Sequence, residues 1–276
     1  ITVDRTLPYL YAHFILQAGI ALEHSESFGV SERRTKSPEE IEHLRHAQKV
    51  TGEAMTFACR TIANARPDQD GILHHDGTIL TSERVRSMIT AFLIERNFSN
   101  SHGSIVATAP HVADCHHYGT GPLKKNLPVV VDIFPMDNVT RYNGDMTRTV
   151  VCGEPSDEVK KIHAAVCEAK AAGCIALKAG TTGEAVHLAT ITMLERHGFT
   201  IVRGDVAHDS AIPTMPHGTG HGIGLDVHEP ILLDHGGGEI FETELFTVEP
   251  GLYSSNHGGV RVEDMVLVTE TGHEIL

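Results

Sequence analysis

An α+β fold built from two comparable halves is expected from the order of elements along the chain. Two helical patterns are followed by short apolar strand runs, and the same order then returns. Helix-start residues stand before the patterns, and β-branched runs mark the strands. The residue identities of the two halves do not visibly repeat, so the duplication rests on element order alone.

Ser37-Pro38-Glu39-Glu40 opens the first helix. Serine caps free amides, proline fits the first turn, and acids suit the positive end. Ile41, Leu44, Ala47, Gln48 and Thr51 begin a stripe that runs to about Ala65. A second helix is predicted from Thr81 to Arg96, with Val85, Met88, Ile89 and Phe92 on one face. Ser104–Thr108 and Val129–Phe134 read as buried strands, and Val139–Val151 as another, entered through a turn at Asn138. Pro155-Ser156-Asp157 caps a third helix reaching about Lys178, and a fourth spans Thr182 to His197. Strands are then expected at Gly222–Val227, Leu245–Val248 and Val260–Val268. Residues 1–34 fall outside this scheme and read as a linker or the end of an N-terminal domain lying upstream of Ile1; residues 35–276 form the main domain.

The chain has 276 residues, 41% hydrophobic and 21% charged, enough for a substantial core. Its formal net charge of -14 disfavours nucleic acid and anionic membrane surfaces as partners. No apolar run approaches the length of a bilayer span. The first 30 residues, with Asp4, Arg5, His13 and Glu23, lack the order of a signal peptide. Five cysteines form no CxxC pair, and an odd number points to free thiols in a reducing, cytoplasmic compartment.

Four carboxylates interrupt the strand-rich segments. Asp132 sits inside Val129-Val-Val-Asp-Ile-Phe, and Asp145 in Gly144-Asp-Met-Thr-Arg-Thr. Glu249 follows Leu245-Phe-Thr-Val, and Glu263 lies in Val260-Arg-Val-Glu-Asp. A carboxylate buried in such a run needs a cation. The ordinary alternatives are an Asp145–Arg148 ion pair and an Arg261–Glu263 pair on one strand face. The fifth element is Pro216-His-Gly-Thr-Gly-His-Gly-Ile-Gly-Leu-Asp-Val-His-Glu-Pro, with His217, His221 and His228 among alternating glycines. It is not a phosphate loop, because no Lys-Ser/Thr follows, nor a zinc HExxH helix, because Leu232 stands at the second histidine position. Four carboxylates and an imidazole suit hard divalent ions, and charge balance favours two. Two metals would clamp a bridging water, lower its pKa and stabilise an oxyanion.

Asp132, Asp145, His221, Glu249 and Glu263 resemble, in chain order, the five ligands of the pita-bread metallopeptidases. That family includes methionyl aminopeptidase, aminopeptidase P, prolidase and creatinase. The resemblance covers about residues 35 to 276 and is carried by Gly144-Asp-Met-Thr-Arg-Thr, His217-Gly-Thr-Gly-His-Gly-Ile-Gly-Leu-Asp-Val-His, Phe246-Thr-Val-Glu-Pro-Gly-Leu-Tyr and Val260-Arg-Val-Glu-Asp. His217, Tyr253 and Arg261 resemble the proline-directed branch, aminopeptidase P and prolidase. His116, in Asp114-Cys-His-His-Tyr, resembles its pocket histidine, with Cys115 where proline usually stands and His117 as the competing position. The two aspartates are 13 positions apart (145 − 132) rather than the usual eleven, which lengthens the hairpin around Met136 to Arg141 by two residues. A two-residue insertion preserves strand alternation.

The resemblance implies a pita-bread (creatinase/aminopeptidase) fold of helices and curved antiparallel sheet. It implies a peptidase that cleaves between an N-terminal residue and proline through a metal-bridging hydroxide. The implied cofactor is two divalent ions, manganese first, with cobalt, iron or zinc as alternatives. Asp145 and Glu263 would bridge the metals, Asp132 would hold one, and His221 with Glu249 the other. His228 would meet the scissile carbonyl, His116 would act beside it, and Glu249 would also shuttle a proton. His217, Tyr253 and Arg261 would bind substrate, and Thr247 would support the ligands. The implied partners are a peptide with proline second and a second copy of the chain. A non-peptide hydrolase of the same fold and a catalytically silent binding protein are the competing readings.

Overall fold

The computed structural model describes residues 1–4, 7–25, 28–202 and 210–276. Six helices are present among them: α1 (Tyr9–Gln17), α2 (Val30–Arg34), α3 (Pro38–Ala63), α4 (Ser82–Ile94), α5 (Asp157–Ala176) and α6 (Gly183–Arg196). Of the 1–34 segment, residues 5–6 and 26–27 lie outside the described residues.

The four long helices start where their capping residues predict. Ser37 Oγ accepts from the Glu40 amide at 3.3 Å, and Glu40 Oε2 accepts from the Ser37 amide at 2.7 Å, a complete capping box. Thr81 accepts from the Arg84 amide at 3.2 Å, Ser156 from Val159 at 3.2 Å and Thr182 from Ala185 at 3.1 Å. Each such cap contributes about 1 kcal/mol by satisfying an amide that the helix leaves open.

Helices α3 and α4 pack on a three-stranded antiparallel sheet of Ser104–Ala107, Pro128–Ile133 and Met146–Val151. Ala58, Ile62, Val85, Ile89, Val106 and Val131 meet in that core. Helices α5 and α6 form the second half. Val159, Ile162, Val166 and Leu194 pack with Leu252 and Val260. Burying each large aliphatic side chain stabilises by about 1.5–3 kcal/mol. The second half carries a sheet containing Gly251–Ser254 and Gly258–Arg261, and another containing Glu229–Leu233, Gly220–Gly222, Leu245–Val248 and Asp264–Val268. Each half thus pairs two helices with antiparallel sheet, but the element order departs from expectation: a three-stranded sheet within residues 66–79 separates α3 from α4, while α6 follows α5 directly. The halves join where the Glu263 amide donates to the Thr147 carbonyl at 3.1 Å and the Arg261 amide to Thr149 Oγ1 at 3.1 Å.

Three strand boundaries differ from expectation. The strand placed at Val139–Val151 begins at Met146; a turn centred on residues 138–140 precedes it, and Arg141 adopts φ 70°. The expected Gly222–Val227 strand is instead Gly220–Gly222, a bent loop, and Glu229–Leu233. The register shifts between His221 and Gly222. The Val260–Val268 run is two strands broken at Val262 and Glu263, so Arg261 and Glu263 do not share one strand face.

Candidate metal centre

Asp132 occupies the central strand of the first sheet, with Ile105 on one side and Thr147 on the other. Asp145 immediately precedes the Met146–Val151 strand. The longer hairpin preserves the phase, so Asp132, Asp145 and Thr147 fall on one face. Gln48 of α3 pins Asp145 by its backbone. The Gln48 side-chain amide donates to the Asp145 carbonyl at 2.8 Å and accepts from the Asp145 amide at 3.0 Å.

The second half delivers the other groups. Leu245–Val248 pairs antiparallel with Asp264–Val268, with Val248 opposite Asp264. Glu249 and Glu263, the residues just beyond that pair, both line the cavity described below. His221 stands on the neighbouring strand, and its Nε2 lies 3.4 Å from Glu249 and 3.8 Å from Asp145. Close approach of these strands requires glycine at 220, because a Cβ there would collide with the Thr247 carbonyl. Asp145, His221 and Glu263 each offer a ligand atom within 4.8 Å of the others. Asp132 and Glu249 line the same cavity of about 670 Å³.

Two threonines hold the glutamates. Thr147 Oγ1 donates to Glu263 at 2.6 Å, and Thr247 Oγ1 to Glu249 at 3.3 Å while accepting from the His221 amide at 3.1 Å. The resemblance implies Thr247 as such a support, and it stands two residues before Glu249. Thr147 carries the same signal, two residues from Asp145 in Gly144-Asp-Met-Thr-Arg-Thr, and was not singled out.

His221 Nδ1 donates to the Gly222 carbonyl at 3.0 Å, which leaves the Nε2 lone pair facing the carboxylates. The same logic fixes His217. Its Nδ1 donates to the Gly218 carbonyl at 2.7 Å, so Nε2 accepts from the Tyr253 hydroxyl at 2.8 Å. Tyr253 in turn accepts from Arg261 at 2.8 Å, and Arg261 donates to Asp132 at 2.7 Å. Neither ordinary ion pair forms: Arg261 pairs with Asp132, and Arg148 with Asp264 at 2.6 Å.

His228 reaches the same cavity. Its ring centroid lies 4.3 Å from that of His221. The bent loop brings it there, held by Glu229, whose Oε1 accepts from the Leu225 amide at 3.1 Å and the Asp226 amide at 3.3 Å. The buried Lys36 ammonium sits 3.1 Å from Glu229 Oε2. Lys36 and Glu229 were missed in the sequence, since 193 residues separate them. His116 lines the cavity, whereas His117 stacks on His111 and accepts from the Gly119 amide at 2.9 Å. The histidine ambiguity therefore resolves toward His116 as the cavity residue.

Electrostatics separate acids from imidazoles. Burial pushes Asp145 and Glu263 well above the carboxylate range, and repulsion from neighbouring carboxylates adds to it. Burial pushes Glu249 up to about 7, with Arg261 opposing and Asp132 adding. Burial, then the Arg261 charge, drives His217 down to about 3. Burial also lowers His221 and His228. Such a site stores repulsion that a cation relieves. One further observation fits a cation: Asp132 Oδ1 is buried and, among the described residues, has no hydrogen-bond partner.

The model of metallopeptidase family M24 matches residues 42–270. The chain belongs to metallopeptidase family M24. An uncharacterised peptidase of Staphylococcus haemolyticus is 30% identical over 247 residues, covering 88% of this chain and 62% of that protein. The Xaa-Pro dipeptidase of Pyrococcus furiosus is 28% identical over 244 residues, covering 87% of this chain and 62% of its own length. This M24 chain thus spans about three fifths of these relatives. Among solved structures, the Xaa-Pro dipeptidase from Bacillus anthracis has a TM-score of 0.80 at 26% identity, covering 99% of this chain and 71% of that one. The prolidase from Pyrococcus furiosus matches with a TM-score of 0.80 at 24% identity, covering 99% and 74%, and shows the shared α+β pita-bread fold. Membership in M24 implies divalent metal ions, and the converging donors fit them. Among the described residues no helix is long and apolar enough to cross a membrane.

Proposed function

We propose that residues 35–276 form the catalytic unit of a dinuclear-metal peptidase that cleaves between an N-terminal residue and proline. The observation that carries the reading is the convergence of four carboxylates and His221 on one cavity, with Asp132 Oδ1 lacking a hydrogen-bond partner among the described residues. Arg261 reduces the carboxylate charge from −4 to −3. One divalent ion would leave −1 and two would leave +1, so charge alone does not choose between them, and the count of two rests on the five-ligand resemblance. Asp145 and Glu263 would bridge, Asp132 would hold one ion, and His221 with Glu249 the other. Bound there, two divalent ions supply Lewis acidity and a nucleophile from water at neutral pH.

The chain's own groups do the rest. Glu249, raised toward neutrality and steadied by Thr247, receives and returns a proton. Neutral His228 donates to the substrate carbonyl oxygen as charge develops there. Arg261 holds Asp132 and, through Tyr253, orients neutral His217 against the substrate. His116 faces the same space from the other half. Oxygen and imidazole donors suit manganese, with cobalt, iron or zinc as alternatives. Five free cysteines suit a reducing compartment such as the cytoplasm. Xaa-Pro specificity is supported by the dipeptidase names among the relatives and by the Tyr253–Arg261–Asp132 chain. The proposal includes a homodimer, as the resemblance implies.

The deciding experiment is a metal-by-substrate screen with Xaa-Pro dipeptides, Xaa-Pro-Xaa tripeptides and Met-Ala-Xaa peptides. Manganese-dependent cleavage of the proline substrates alone supports the proposal. Cleavage of Met-Ala-Xaa instead moves the chain to the methionyl branch. No cleavage of any peptide by fully metal-loaded protein overturns it in favour of a non-peptide substrate or a binding role.

A further inference from the structure

We infer that His187, Asp234 and His235 form a separate divalent-cation site, selective for zinc-like ions, in the outer wall of the catalytic cavity. Each residue offers a ligand atom within 4.8 Å of the others. The buried His187 projects from the first turns of α6, and its Nε2 lies 3.4 Å from Asp234 Oδ1. Tetrahedral zinc with bonds of about 2.0–2.1 Å separates its donors by roughly 3.3 Å, so this pair is already at ligand spacing. The His235 ring packs edge-on to His187, with centroids 4.8 Å apart. Being exposed, it is free to rotate its donor inward. Glu184 Oε1 stands 3.8 Å from His235 and provides a fourth candidate donor.

Supporting contacts orient the ligands. His187 Nδ1 hydrogen-bonds Thr219 Oγ1 at 2.9 Å. With Nδ1 donating, Nε2 presents its lone pair toward Asp234, the arrangement that metal-binding histidines adopt. The Asp234 carboxylate is fixed by the His235 amide, 2.7 Å from Oδ1. A tight turn, closed by the Gly237 amide donating to the Asp234 carbonyl at 2.9 Å, carries both residues. That turn is tied to the start of α6 by the Gly183 amide on Gly238 at 2.9 Å and the Glu184 amide on Gly237 at 3.2 Å. Two elements distant in sequence are thus locked together before any ion arrives.

The donor set differs from that of the main centre. Two imidazoles and one carboxylate favour zinc, nickel or copper over manganese or magnesium. The sites are also separate in ligands, since none of the three belongs to the Asp132–Glu263 set. They are neighbours nonetheless. Asp234 lines the catalytic cavity, and its Cβ would lie 3.1 Å from a Cβ at Gly218. Thr219 bonds His187 through its side chain and the Glu249 amide, at 2.8 Å, through its carbonyl.

The test uses protein first saturated with manganese, whose metal content is counted. Zinc is then equilibrated by dialysis in the continued presence of manganese, and total divalent ions per chain are counted again. The wild-type chain gains one ion on adding zinc, and His235→Ala, which removes an exposed ligand and should fold, gains none. His187→Gln, if folded, behaves like His235→Ala. No gain in the wild-type chain, or an equal gain in His235→Ala, overturns the inference. The manganese count before zinc addition reports separately on the main centre, so failure of one reading does not resemble failure of the other.

Discussion

Replacing Glu229 by glutamine tests whether a remote ion pair sets the position of His228. Glu229 and Lys36 approach to 3.1 Å, and both side chains are only 3% exposed. Glutamine preserves the shape and can still accept from the Leu225 and Asp226 amides, but it leaves the Lys36 ammonium buried without its countercharge. Breaking one partner of a buried pair costs about 3–5 kcal/mol. With an unfolding entropy of roughly 2.1 cal/mol/K per residue, the 276 residues give about 0.6 kcal/mol/K. The melting temperature should therefore fall by about 5–9 °C, read by calorimetry on metal-loaded protein. Turnover should fall at unchanged metal content, because the loop carrying His228 loosens. The double variant Lys36→Met with Glu229→Gln removes both charges and should be more stable than Glu229→Gln alone. A loss below about 1 kcal/mol for Glu229→Gln, or strictly additive effects in the double variant, would refute the reasoning.

Other outcomes separate ligands from supports. His221→Ala should lose metal and activity together, whereas His228→Ala should keep its metal and lose on the order of a hundredfold in kcat, as for one transition-state donor; metal analysis beside kinetics decides it, and the reverse pattern would sink the ligand assignment. Gln48→Ala should lower metal affinity without touching a ligand, since it frees the Asp145 backbone; isothermal titration with manganese reads the change. Removing metal should make stability depend on pH. Asp145, Glu249 and Glu263 have raised values, so the metal-free fold retains protons that the unfolded chain releases above about pH 4.5, and its stability falls as pH rises. The lowered values of His217, His221 and His228 cost stability as pH falls below about 7.5, where the unfolded imidazoles begin to take up protons. Between about pH 7.5 and 8.5 these imidazoles are neutral in both states, and the carboxylate effect, shared by Glu249, remains. A melting temperature of chelated protein that is flat or rising across that range would contradict the convergence of these acids.

The sequence reveals what short range encodes. Ser37, Thr81, Ser156 and Thr182 announce their helices because each cap is a bond to an amide three residues away. The acids inside apolar runs announce the cavity because burial without compensation is too costly. What stays hidden is long range. Gln48 reads as part of a helical stripe, yet its amide anchors Asp145 across 97 residues. Lys36 reads as a residue before a helix cap, yet its charge holds the loop after His221. The expected Gly222–Val227 strand fails for the same reason. Alternation predicts an extended segment there, while Glu229 captures two of its amides and bends it. Arg261 was legible as a site residue, but its partner was not. The Asp132 contact spans 129 residues and replaces the nearer Glu263.

The hydrogen bond from the Glu263 amide to the Thr147 carbonyl crosses between the two halves of the chain. Neither half can open by itself without exposing that amide and scattering the acids around it. The two halves should consequently unfold as one cooperative unit when metal bridges them and as two separable ones when it does not. Native-state hydrogen exchange can watch this at a single position. The Glu263 amide should exchange with the slowest core amides in the loaded protein. After chelation it should exchange through a lower-energy, local opening, while amides deep in α3 and α5 stay protected.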